Sequence, residues 1–152
     1  MELRQGITGF RHVDDPPLPT CDLRIFRTHC HDAARFLGGR VQPCGPRRKI
    51  SVTNFAEVVI ELDDCPIAVL LNHHYPVIGF AIPPSDTGLR FMDSDALAKT
   101  LNATSDYEVL SREELERIVV PDEFQQLLPA EIEQANYWRP CRLGDVIFNF
   151  WD

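Results

Sequence analysis

Three apolar runs joined by connections of only a few residues constrain this chain more than any other feature: "NFAEVVIEL" (54–62), "PIAVLLNH" (66–73) and "VIGFAI" (77–82). In the first, Ala56, Val58, Ile60 and Leu62 alternate with Phe55, Glu57, Val59 and Glu61, the period of a strand with one apolar and one mixed face. The second is apolar on both faces, as a central strand is. A parallel crossover needs about a dozen residues or more, so strands this close pair as antiparallel hairpins. Asp63-Asp64 supplies the first turn and "HYP" (74–76) the second.

Helical signals flank this meander. "THCHDAARFLGG" (28–39) reads as a short helix with Thr28 as its cap and Gly38-Gly39 as its stop. Ala96, Leu97 and Leu101 form an apolar side in the stretch after Asp93. "SREELERIV" (111–119) opens on a capping box, Ser111 with Glu114, and Leu115 and Ile118 form its expected buried pair. Pro121 and Pro129 stand where a first helical turn tolerates proline. The last segment, "GDVIFNFW" (144–151), alternates Val146, Phe148 and Phe150 with Ile147, Asn149 and Trp151. Both sets are largely apolar, so the expectation is a C-terminal strand, 146–151, inserted into the sheet as core; the same strip as a dimer interface is the alternative. The fold class expected is α+β: an antiparallel sheet of a three-strand meander plus the C-terminal strand, with short helices packed on it. One domain covers 1–152, with 1–22 as an extended N-terminal segment in which three prolines fall within "PPLP".

Composition matters mainly through charge. The net charge is −8, but residues 1–50 hold nine Lys/Arg against five Asp/Glu, whereas 51–152 hold six against eighteen. Nine acids fall within 106–133, with only Arg112 and Arg117 among them. Such a field repels nucleic acid and anionic membranes and attracts a basic protein; the plainer reading is a solvated face. No apolar run approaches the ~20 residues that span a bilayer, and no export signal opens the chain. Five irregularly spaced Cys suggest free thiols in a reducing cytoplasm.

Motifs for chemistry are sparse. "HCH" (29–31), with Cys21 and Cys44, lacks the paired spacings of a zinc site, so no metal or cofactor is expected. His73 and His74 sit at a strand end, where catalytic histidines do occur, and a small hydrolase using either is the enzymatic alternative. Adjacent strand residues face opposite ways, so at most one should serve a pocket; Cys65 is a nucleophile only if the fold brings it near. There is no nucleotide-binding glycine pattern.

"VLLNHHYPVIGFA" (69–81), "YEVLSREEL" (107–115) and the closing "YWRPCRLGDVIFNFWD" give the chain beyond about residue 50 a pattern that resembles small uncharacterised bacterial proteins ending in YWRP-x3-GDVIFNFWD. Toxin-neutralising immunity proteins share its small, acidic, single-domain profile. That similarity implies partner binding and carries over no catalytic residue. The functional expectation is a non-catalytic, cytoplasmic immunity or inhibitor protein that binds a basic partner such as a toxin enzyme. Asp106, Tyr107, Glu108, Glu113, Glu114, Glu116, Glu123 and Tyr137 are the expected contacts, the acids as rim and the tyrosines as anchors. A homodimeric structural protein is a further alternative.

Overall fold

The structure, a computed structural model, describes residues 1–43, 53–85 and 88–151. Its centre is the expected meander: β2 (Phe55–Leu62), β3 (Cys65–Asn72) and β4 (Val77–Ala81), all antiparallel. Asp63 and Asp64 form the β2–β3 turn at φ 50° and 61°, the paired positive values that a two-residue hairpin demands and that aspartate tolerates. A two-residue strand β1 (Arg40–Val41) lies on the outer edge of β2. The edge of β4 is shared by β5 (Phe91–Met92), antiparallel, and β6 (Glu108–Val109), parallel. The sheet is thus antiparallel apart from this one short pair, which closes only after a long crossover, as parallel pairing requires.

Strand alternation divides the interior into two layers that share these strands. Val58, Ile60, Ile67, Val69, Leu71, Ile78 and Phe80 face helices α1 (Leu23–Phe36) and α2 (Asp95–Thr104), which supply Phe26, Cys30, Ala33, Leu97 and Leu101. On the other face, Phe55, Ala68, Leu70 and Val77 meet the N-terminal segment and three short helices: α3 (Arg112–Glu116), α4 (Pro129–Trp138) and α5 (Leu143–Ile147). A 3-10 turn at Pro121–Phe124 joins α3 to α4.

Several sequence expectations hold and several are corrected. The capping box of α3 is present: Ser111 Oγ accepts from Glu114 N–H at 3.1 Å, and Glu114 Oε1 accepts from Ser111 N–H at 3.4 Å. Leu115 is buried, but Ile118 lies beyond the helix end and is exposed. Helix α1 starts five residues before Thr28, because Asp22 Oδ1 accepts from the N–H groups of Arg24 and Ile25; Thr28 Oγ1 instead donates to the Arg24 carbonyl. Residues 5–9 turn rather than extend, and the segment contributes Leu3 and Ile7 to the core. The Pro/Gly/Arg-rich stretch "PCGPRRK" (43–49), whose composition reads as a loop, lies outside the described residues apart from Pro43.

The largest correction concerns the C-terminus. Residues 146–151 are not a strand: α5 ends at Ile147 and an irregular tail follows. The expected burial is nevertheless present, since Val146, Ile147, Phe148 and Trp151 are buried within the chain itself. A run apolar on both sides does not distinguish strand from buried helix. Gly144 is what brings the helix in, since a Cβ there would lie 2.3 Å from the Phe91 ring and 3.0 Å from the Leu115 carbonyl.

Without a strand's ladder, the tail's backbone finds its partners in three buried asparagines. Asn54 and Asn72 each donate through Nδ2 to the carbonyls of Ile7 and Ile147 at 2.8–2.9 Å. Asn149 N–H donates to Asn54 Oδ1 at 2.7 Å, and its own amide reaches Thr8 O and Val146 O. Both ends of the chain are thereby tied to the ends of β2 and β3, which satisfies polar groups that burial would otherwise penalise.

Candidate functional site

The acids of 106–133 do not form one uniform face. Glu131, at 0% exposure, is interior: it accepts from Gly6 N–H, Thr8 N–H, Thr8 Oγ1 and Leu128 N–H at 2.7–3.1 Å. Glu108 pairs with Arg4 at 3.2 Å, Glu116 with Arg112 at 3.2 Å, and Glu123 with Arg117 at 2.8 Å. Against the upward push of partial burial, the Val120 N–H and the Arg117 guanidinium hold the Glu123 carboxyl below its ordinary range. Glu114 is turned back onto its own helix start. Asp106, Glu113, Asp122 and Glu133 are exposed and have no cationic partner among the described residues.

The two tyrosines also differ. Tyr107 is half-buried toward α1, packing edge-on against Phe26 and His29 at 6.1 and 5.5 Å. Burial first, then the nearby Cys30, Cys21 and Asp22, pushes its hydroxyl up to about 12. Tyr137 is 77% exposed at the end of α4, edge-on to Trp138 at 5.2 Å. After α3, residues 117–120 run antiparallel to 140–142: Ile118 bridges Arg142, and Val119 N–H donates to Cys141 O at 2.9 Å. Ile118 (73% exposed), Val120 and Trp138 are, with Tyr137, large apolar side chains left in solvent. Sequence reading missed these three, because the interrupted helical pattern around Ile118 suggests a buried face.

The histidine turn corrects another expectation. Residues 73–76 bend, so His73 and His74 both line one small concavity of about 180 Å³, with Thr8, Thr53, Asn54 and Trp151 among its walls. His74 Nδ1 lies 2.8 Å from the Pro19 carbonyl, which can only accept, so this nitrogen donates. Burial, and secondarily His74, lowers the pKa of His73. Among the described residues no Ser, Cys or carboxylate lines this concavity. Cys65 begins the strand whose far end leads into His73, about 26 Å away at ~3.3 Å per residue, so the two cannot pair. In "HCH", His29 packs on Tyr107 and burial drives the Cys30 thiol up to about 12. Among the described residues no three metal-ligating side chains cluster; Cys44 lies outside them.

A second groove, of about 330 Å³, runs between the end of α4 and the C-terminal tail, lined by Trp138, Arg139, Pro140, Cys141, Asp145 and the residues 148–151. No protein-family model, curated protein or solved structure matches the chain. Among the described residues no helix is long and apolar enough to cross a membrane.

Proposed function

We propose that this protein is a non-catalytic binding module for a basic protein partner, and that in its most specific form it is a cytoplasmic inhibitor of the toxin-neutralising kind. The observation that supports this reading is what the stretch from α3 through the 3-10 turn to α4 leaves exposed: Glu113, Asp122 and Glu133, without a cationic partner among the described residues, and the large apolar side chains Ile118, Val120, Tyr137 and Trp138. Aromatic and aliphatic anchors within a charged rim are how interfaces combine affinity with steering. The contact set is thereby narrowed. Tyr107 serves the interior, Glu114 holds its own helix, and Glu108, Glu116 and Glu123 are neutralised by arginines. The histidine concavity has no Ser, Cys or carboxylate among its described walls, and the hydroxyls of Thr8 and Thr53 donate to Glu131 and to the Phe55 carbonyl, so the hydrolase alternative has no comparable support.

The test is association kinetics with a basic partner captured from the native cell. The triple variant Glu113→Lys, Asp122→Lys, Glu133→Lys leaves the fold intact by circular dichroism. Its association rate at low salt is expected to fall about tenfold or more, with a flattened salt dependence. Unchanged association rates across salt concentrations would remove this face from the interaction.

A further inference from the structure

We infer that the outer edge of the extended segment 117–120, open at Ile118, docks an extended basic segment of a partner protein as an added strand. The inference rests on the basic-partner reading and deepens it, because it names the form in which that partner presents itself. It starts from the backbone. Arg117 O accepts from Leu143 N–H at 2.8 Å, and Val119 N–H donates to Cys141 O at 2.9 Å. Residues 117 and 119 thus spend these groups on the inner edge. Backbone polar groups alternate between the two edges of a strand, so Ile118 turns its N–H and C=O outward, away from 140–142. Neither group has a partner among the described residues. Two residues on, the same edge is closed: Val120 N–H donates to Glu123 Oε2 at 2.8 Å, and Val120 O accepts from Glu123 N–H at 3.0 Å. The chain therefore caps Val120 with its own turn and leaves one short stretch of edge able to template a strand.

The side chains around this edge state what it takes. Val119 is buried, whereas Ile118 and Val120 are exposed; this alternation puts Ile118 and Val120 on one face, turned to solvent. An added strand sets an apolar side chain beside Ile118 on that face, while its own N–H and C=O meet those of Ile118. Charge then selects the occupant. Glu113 precedes the edge in the chain and Asp122 follows it, both exposed and without a cationic partner among the described residues. The two arginines of the stretch, Arg112 and Arg117, are held by Glu116 and Glu123. A segment that alternates apolar and basic residues is drawn in, and an acidic one is repelled. A second copy of this chain, paired edge to edge, would bring the same uncompensated acids to the contact, which disfavours it.

The probe is the peptide Ac-Lys-Val-Lys-Val-Lys-amide, titrated into the isotope-labelled full chain and followed by amide NMR. Binding is expected to move the Ile118 amide resonance downfield and to slow its exchange with solvent, and added salt is expected to weaken binding. Methylating the two valine nitrogens of the probe keeps its charge and side chains but removes the donors that face Ile118. It should raise Kd about fivefold, the scale of one backbone hydrogen bond. Because that change is made in the probe, the fold of the protein is untouched. An Ile118 amide that stays unmoved at millimolar peptide, or equal affinities for the methylated and unmethylated probes, would overturn the inference. So would a shift of that amide with the concentration of the chain alone, which assigns the edge to a second copy. The association kinetics above read the acids, whereas the Ile118 amide reads the backbone, so either result can fail while the other stands.

Discussion

The C-terminal tail and the acidic sector of 106–133 are opposite in composition, and each contains residues that behave like the other. The tail is aromatic and buried, yet Asn149 at its centre holds it in place. The sector is charged and solvated, yet Glu131 within it is as buried as any leucine. Composition thus assigns a segment to the interior or to solvent on average. The polar residue that enters the core with its partners satisfied is what fixes the particular arrangement. In both cases some of those partners lie in residues 6–8 (Thr8 for Asn149, Gly6 and Thr8 for Glu131), so the N-terminal segment joins two regions nearly the whole chain away.

The severest way to break the comparison is to remove the tail. A chain lacking 146–152 loses Val146, Ile147, Phe148 and Trp151 from the core and strands the Asn54 and Asn72 amides. It is expected to be insoluble or unfolded, judged by expression and circular dichroism; a soluble, cooperatively melting truncation would show that the tail covers a core already complete. Next in size is a contrast inside the sector. Glu131→Ala orphans the donors of Gly6 and Thr8 and should cost about 3 kcal/mol or more, whereas exposed Glu133→Ala should stay within ~0.5 kcal/mol. Equal effects in urea denaturation would mean that the two glutamates are not the different residues the fold makes them. Smaller again, Ser111→Ala removes the cap of α3 and should cost about 1 kcal/mol.

These contrasts also mark what was legible in the sequence. Local chemistry was: the meander, the Asp63-Asp64 turn and the Ser111 capping box depend on neighbours a few residues apart. So was the burial of the tail, because transfer free energy depends on side-chain area whatever the backbone does. Its conformation was not, since "GDVIFNFW" is apolar on every face and the deciding contacts, Gly144 against Phe91 and the asparagine amides against Ile7, are long-range. The candidate contacts were legible as charge but not as availability. Nothing near Glu131 in sequence shows that it binds Gly6 and Thr8, and nothing near Glu108 that it meets Arg4. The exposure of Ile118, Val120 and Trp138 was hidden for the same reason.

The smallest effect lies where tail and turn meet. His73 shares its concavity with Asn149 and Trp151, and its imidazole is held below the ordinary value of about 6.5, first by burial and then by His74. The folded state therefore disfavours the proton that the unfolded chain accepts. The stability this contributes is present above pH 6.5 and is lost as pH falls through the folded-state value. The depressed carboxyls of Glu61 and Glu123 act in the same direction but only below about pH 4.5, so the interval from pH 7 to 5 isolates the histidine from them. In that interval His73→Gln should flatten the decline of stability with acid relative to the unmodified chain, by a margin kept small because the ring is only half-buried. If acidification from pH 7 to 5 lowers the urea midpoint equally in both proteins, the tail and the histidine turn are not coupled through this imidazole.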